Sequence, residues 1–189
     1  MDAFNSIANI HKFKKNETVF YIGQKTDRIF RVIAGEVHLY RHSCDGNRIL
    51  LYRAYDGEYF AEASLTSDFY HCSALCVKHS TIETYDIKKV KSILGKNPKA
   101  SLDWIEHLSK ELRNQRASVE RLCLKSPVDK LIHYLITEGT PPGDIFISGT
   151  LSELAEIINI SRETLYRTLS LMKKQDILER TNGWIKLKK

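Results

Sequence analysis

The residues best placed to do chemistry in this 189-residue chain are the string Ser161-Arg162-Glu163-Thr164, followed by Tyr166, Arg167 and Ser170. In a helix, Arg162, Glu163, Tyr166, Arg167 and Ser170 share one face. Two guanidinium groups and a carboxylate on such a face are the donors and acceptor that pair with guanine and cytosine edges in a major groove. The competing reading is a solvated face on which Glu163 and Arg167, four residues apart, pair with each other for about 0.3 kcal/mol. A second group is Cys72 and Cys76 with His71 and His79 close by. Along an extended strand, residues four apart are separated by about 13 Å. That exceeds the roughly 7 Å Cα limit of a disulfide and is too far for one metal ion. The cluster reads as buried small apolar residues, with haem ligation or oxidation at Cys72 as the minor alternative.

The first group depends on the elements around it. Thr150 is a helix cap, and Glu153 three residues on completes a capping box. Leu151, Leu154, Ala155 and Ile158 then repeat at helical spacing, and Asn159-Ile160 interrupts them. Ser161 caps a second helix, with Leu165, Leu169 and Met172 on its apolar side. Two short helices joined by a tight turn, the second with a polar and basic outer face, read as helix-turn-helix. Asn182-Gly183, between Ile177-Leu178 and Trp184-Ile185-Lys186-Leu187, signals a hairpin that adds a wing. Ser161 and Thr150 therefore join the candidate DNA-contacting set. So do Lys173 and Lys186, with Lys174, Lys188 and Lys189 as further phosphate candidates.

An apolar content of 42% and a charged content of 28% are those of a globular protein. No apolar run approaches the roughly 18 residues of a membrane helix. The start MDAFNSIANIHKFKK lacks the basic and apolar regions of a signal peptide. A cytoplasmic protein without a membrane partner is expected. Cys44, Cys72, Cys76 and Cys123 form no CxxC pair or zinc-finger spacing, as expected of reduced thiols. The net charge of +6 is uneven: residues 1–87 carry −1, residues 88–126 carry +6 and residues 127–189 carry +1. Gross charge thus does not locate the DNA-reading part, whose affinity must come from local placement.

From Thr18 to about Tyr85, short β runs alternate with turns, and a hairpin is expected at Asp45-Gly46. Such strands build a sandwich, barrel or jelly roll. A metal-dependent cupin enzyme would share that roll but wants two histidines one residue apart followed by a glutamate. His38 and His42 are four apart and no H-x-H occurs, so an enzyme is set aside. IKKVKSIL after Asp86 reads as a short helix stopped by Gly95, and Asn97-Pro98 opens a long one. In it Ile105, Leu108, Leu112, Gln115, Val119 and Leu122 alternate at spacings of three and four, a coiled-coil seam. The alternative is a helix packed on its own domain, but the flanking charges leave a narrow stripe that suits a dimer. Ser126-Pro127 ends that helix and caps the next. Gly139–Gly143 is a turn, and DIFIS a short strand.

Ser161-Arg162-Glu163-Thr164-x-x-Arg167 closely resembles the recognition helix of the CRP/FNR regulators. The glycines of Ile22-Gly23, Gly35-Glu36-Val37, Asp45-Gly46 and Gly57-Glu58-Tyr59-Phe60-Ala61-Glu62 fall as in that family's cyclic-nucleotide-binding fold, a resemblance that puts Gly35-Glu36-Val37 inside a hairpin. The resemblance implies an α+β chain. A β-roll or jelly-roll sensor domain would span residues 1–96, a dimerisation helix 97–125 and a winged helix-turn-helix 126–189. It further implies a homodimer on double-stranded DNA at palindromic TGTGA-like sites. RNA polymerase would be a partner of an activator, and there would be no catalytic or metal centre.

In the family's nucleotide pocket a glutamate bonds the ribose and an arginine pairs with the cyclic phosphate. The matching set here is Glu62, Ala61, Cys72 and Ser73, with Gln115 and Arg116 from the long helix. Ala61 replaces a glycine, and Cys72 stands where the arginine would be. A thiol cannot supply a bidentate fork to phosphate. Cyclic AMP is therefore not expected as the effector, whose identity stays open. The alternative function is a nucleotide-sensing regulatory module acting on a protein partner.

Overall fold

The computed structural model describes residues 2–147 and 150–188. The fold is α+β, and the chain divides between Trp104 and Ile105 into two compact units. The boundary falls inside the long helix, which the sequence set apart as a segment of its own.

The first unit opens with a 3-10 helix, Asp2–Ile7. Strands follow at β1 (Asn9–Phe13), β2 (Thr18–Phe20), β3 (Arg28–Ala34), β4 (Val37–His42), β5 (Arg48–Ala54) and β6 (Tyr59–Phe60). Then come a short 3-10 helix (Glu62–Thr66), β7 (Ser73–Cys76), β8 (Ser80–Asp86) and helix α1 (Ile87–Lys96). The strands form two antiparallel sheets, ordered β1-β8-β3-β6 and β2-β7-β4-β5. One core draws on both sheets, with Phe20, Phe30, Val32, Leu39, Phe60, Tyr70, Cys72 and Ile82 among its members. Its rings stack: the Phe20–Tyr70 centroids are 4.0 Å apart and those of Phe30–Phe60 5.0 Å. A second core gathers Phe4, Ile29, Tyr59, Tyr85, Val90 and Trp104. It anchors the N-terminal 3-10 helix, which carries no recognisable periodicity in the sequence.

Two expectations are corrected here. The turn at Gly35-Glu36 is not a hairpin, because β3 and β4 belong to different sheets. It is the corner where the chain crosses between them. Gly35 has φ 116°, and a Cβ there would collide with the backbone and hydroxyl of Ser80. Nor does Gly95 stop α1, which runs on to Lys96. The stop comes from Pro98: the preceding Asn97 is extended, as a residue before proline prefers. Its side chain caps the next helix by accepting from the Ala100 N–H at 3.1 Å. The Asp45-Gly46 turn does join paired strands, β4 and β5.

Helix α2 (Pro98–Cys123) leads into the second unit. There follow α3 (Pro127–Glu138), β9 (Ile145–Phe146), α4 (Leu151–Ile157), α5 (Arg162–Lys174), β10 (Leu178–Thr181) and β11 (Trp184–Leu187). Leu131 and Leu135 of α3, Leu154 of α4, Leu165 and Met172 of α5, and Ile185 of β11 form one core. The strand expected over DIFIS is shorter than that run. Only Ile145 and Phe146 pair, with β11, and Ser148 lies outside the described residues. The seam of α2 is exposed: Ile105 at 57%, Leu112 at 52%, Val119 at 61% and Leu122 at 58%. Gln115 is exposed with them. That disfavours the reading in which this stripe packs on its own chain. No helix among the described residues is long and apolar enough to cross a membrane.

Candidate nucleic-acid interface

Local hydrogen bonds fix the turn between α4 and α5. The Thr150 hydroxyl accepts from the Glu153 N–H at 3.2 Å, and the Glu153 carboxylate accepts from the Thr150 N–H at 2.6 Å. The capping box read from the sequence is thus complete. At the far end Asn159 takes φ 53°. The Asn159 N–H then bonds the Glu156 carbonyl and the Ile160 N–H the Ala155 carbonyl, a Schellman termination. The Ser161 hydroxyl accepts from the Thr164 N–H at 3.1 Å and starts α5. A lysine that sequence reasoning missed ties this turn to α3. Lys130, only 8% exposed, donates to the Asn159 carbonyl at 3.1 Å. A buried ammonium placed on a turn carbonyl has its charge met by a dipole.

Leu165, Thr168, Leu169 and Met172 turn α5 inward. The buried Thr168 hydroxyl is satisfied by the Thr164 carbonyl at 2.8 Å. Arg162, Glu163, Tyr166, Arg167, Ser170 and Lys173 are all exposed on the outer side. Glu163 and Arg167 do pair, at 3.9 Å, but both side chains are more than 70% exposed. Such a contact is worth a few tenths of a kcal/mol, ~0.3–0.5 at most, and yields readily to a better partner. The Arg162 guanidinium lies 5.6 Å from the Tyr166 ring centroid, close enough for cation–π attraction. Between α5 and the wing runs an open groove of about 400 Å³, lined by Tyr166, Ser170, Lys173, Arg180, Asn182 and Gly183 among others. Arg180 had no signal in the sequence, since only the β10–β11 pairing brings it opposite α5. Lys186 is half-buried, its ammonium 6.0 Å from the Trp184 ring. Thr150 is exposed at the start of α4.

In the first unit, Ala61, Cys72 and Ser73 are buried, and Cys72 and Ala61 belong to the core with the stacked rings. Ala61 takes φ 62° where it introduces the second 3-10 helix, a left-handed conformation that suits glycine better. The Ser73 hydroxyl accepts from the Ile22 N–H at 2.9 Å. Burial pushes the Cys72 thiol up, Arg41 draws it down and Glu62 raises it again. Cys72 is therefore a neutral thiol at pH 7. Burial likewise raises Cys76, to about 11. Arg41, unnoticed in the sequence, donates through its Nε to the His71 carbonyl at 2.6 Å. His71 is exposed while Cys72 is buried; both lie in the bend just before β7, outside the strand the sequence placed them on. Gln115 and Arg116 lie exposed on α2, in the second unit. His38 bonds the buried Glu36 at 2.7 Å. No group of three His, Cys, Asp or Glu able to hold a metal ion occurs among the described residues.

A cyclic nucleotide phosphate needs a cation to meet it on leaving water. At the position where the resemblance puts that cation stands a neutral, buried thiol, so Cys72 does not fit the group.

A two-sheet roll followed by a capped helix-turn-helix with a wing is the architecture of a DNA-binding regulator. Residues 10–97 match the cyclic nucleotide-binding domain model, and residues 129–189 match the Crp-like helix-turn-helix domain model. The chain belongs to the CRP/FNR family of DNA-binding transcription regulators. The cAMP-activated global transcriptional regulator CRP of Pasteurella multocida is 25% identical over 186 residues, covering 94% of this chain and 89% of that protein. The global nitrogen regulator of a Nostoc species is 25% identical over 181 residues, covering 89% and 80%. Among solved structures, a CooA mutant from Carboxydothermus hydrogenoformans aligns with a TM-score of 0.72. It is 21% identical and covers 97% of this chain and 85% of that one.

Proposed function

We propose that this protein is a homodimeric, sequence-specific regulator that reads palindromic TGTGA-like DNA through α5. In this reading Arg162 and Arg167 donate to guanines, and Glu163 accepts from a cytosine amino group. Lys173, Lys186 and Arg180 meet phosphates on either side of the groove. The observation that carries the reading is the exposed outer face of α5, held by a capped turn and a buried inner face. Glu163 and Arg167 are loosely paired there and free to exchange each other for bases. Dimerisation through Ile105, Leu108, Leu112, Gln115, Val119 and Leu122 is supported by their exposure along one stripe of α2. Two copies would present two α5 helices to half-sites about 34 Å apart.

Cyclic AMP is not the physiological effector in this reading, because Cys72 brings no charge to a phosphate. The relatives themselves bear names of different kinds, one for cyclic AMP and one for nitrogen. The effector, if the protein has one, is of another chemistry. An activator of this type would engage RNA polymerase, and the protein would act in the cytoplasm.

The test is a mobility shift on a palindromic TGTGA-containing duplex across a salt series. Sequence-specific binding whose logarithm falls linearly with the logarithm of salt is expected, with the slope set by the phosphates neutralised. Binding to no duplex at any salt would favour the alternative, a regulatory module acting on a protein partner.

A further inference from the structure

Helix α2 ends at Cys123 and α3 begins at Pro127, so only Leu124, Lys125 and Ser126 join them. Three residues span at most about 10 Å. They limit the separation of the two helices but not their angle. The angle is held by a side chain. Arg121, in the last turn of α2, is 3% exposed. Its Nη1 donates to the Thr137 hydroxyl at 3.3 Å. Its Nη2 meets the Glu138 carboxylate, also at 3.3 Å, and the Ser118 hydroxyl at the same distance. The guanidinium stands 5.1 Å from the Tyr134 ring centroid. One residue earlier, Glu120 reaches His133 at 3.1 Å. The last turn of α2 is therefore fastened to the far end of α3, whose Leu131 and Leu135 are fully buried in the DNA-reading core.

We propose that Arg121 is a positioning residue: its bridge to Thr137 and Glu138 sets the angle between the seam helix and the DNA-reading domain. Through that angle it sets the separation of half-sites the dimer accepts. This rests on the reading of the protein as a dimeric operator-binding regulator. Burying the guanidinium of Arg121 against a partly exposed carboxylate is a poor device for stability alone, since an apolar residue of similar volume does as well. The Nε of Arg121 has no hydrogen-bond partner among the described residues, so the pair is not optimised for stability either. What a rigid, planar guanidinium held at two points, the Thr137 hydroxyl and the Glu138 carboxylate, does supply is a defined direction. In a dimer, two seam helices with free elbows would let the α5 pair adapt to several spacings. Fastened elbows allow one.

The experiment uses the full chain carrying Arg121→Met together with Glu138→Gln, and a second variant with Glu138→Gln alone. Glu138 is a quarter exposed, so its replacement leaves the fold intact even if the double variant does not form. The probes are duplexes with two TGTGA-like half-sites at the preferred spacing, or with one or two base pairs inserted or removed, and a duplex with one half-site. Wild-type protein is expected to lose about tenfold or more in affinity when the spacing is shifted, because misplaced sites cannot be engaged together. The variants, still dimeric by sedimentation, should lose less than about threefold and bind the single half-site within about twofold of wild type. A folded, dimeric variant that keeps the wild-type spacing preference overturns the proposal. So does one weakened equally on every duplex, including the single half-site. Wild-type protein that binds none of these duplexes overturns the regulator reading itself, and this inference with it.

Discussion

Arg167 shows how little the free protein commits the outer face of α5. Its ion pair with Glu163, at 3.9 Å, is solvent-exposed, so moving to a base edge costs little. Arg167→Ala should weaken operator binding by about 1–3 kcal/mol and relax preference at one base position. Competition against duplexes varied one base pair at a time checks this. Equal weakening on all of them would make Arg167 a phosphate contact. Glu36 makes the opposite kind of commitment. Burial pushes its carboxyl up, but hydrogen bonds from Lys78 and His38, both at 2.7 Å, more than compensate. They hold it below its ordinary value of 4.5. A carboxylate whose folded pKa is depressed stabilises the fold above its unfolded pKa, and that contribution is lost as pH falls through the folded value. Melting temperature should therefore fall as pH drops below 4.5, and Glu36→Gln should remove part of that slope. An unchanged acid profile in the variant would show that Glu36 contributes nothing to it.

Among the elements, α2 carries the clearest unmet demand. Its charged flanks are solvated and its apolar stripe is bare, with Leu112 at 52% exposure in mid-helix. Exposed apolar surface repeating at heptad spacing is what a second helix would cover. Leu112→Asp would bury an unpaired charge at such a seam, a penalty of several kcal/mol. Analytical ultracentrifugation should then show monomers, with operator affinity falling in parallel. A variant that still sediments as a dimer would place the interface elsewhere. The helix-turn-helix needs no partner for its own geometry, since the capping box, the Schellman turn and Lys130 settle it within one unit.

For the whole molecule, the question is whether the sensor unit answers to a cyclic nucleotide. Its core joins Cys72 and Ala61 to four stacked rings, and the cation acting on Cys72 is Arg41, held at the His71 carbonyl. Calorimetric titration with cyclic AMP, run beside operator binding with and without it, should give no micromolar binding. It should also give less than about 1.4 kcal/mol of coupling, a tenfold change in DNA affinity. Tight binding together with a larger gain on DNA would show that a different cation reaches the phosphate.

The sequence by itself determined what local interactions decide. The Thr150–Glu153 box, the Ser161 cap, the Asn182-Gly183 hairpin and the periodic apolar faces of α2 and α5 each depend on residues within a turn or two of one another. Their side-chain spacing is therefore enough to read them, and the candidate DNA-reading face came with them. Cys72 was legible too, as a departure from a motif. Tertiary structure decided whatever depends on residues far apart in the chain. Gly35 reads as a hairpin from the placing of the glycines between strand-like runs that the family resemblance rests on. Whether those strands pair with each other is set by Ser80 and by the sheets that form around it. Gly95 has the freedom to end a helix, but the constraint that ends it belongs to Pro98. Lys130, Arg41, Arg180 and Arg121 read as ordinary solvated charges. Lys130, Arg41 and Arg121 gain their partners, and Arg180 its place beside the groove, only when another element folds onto them, and no local spacing encodes that.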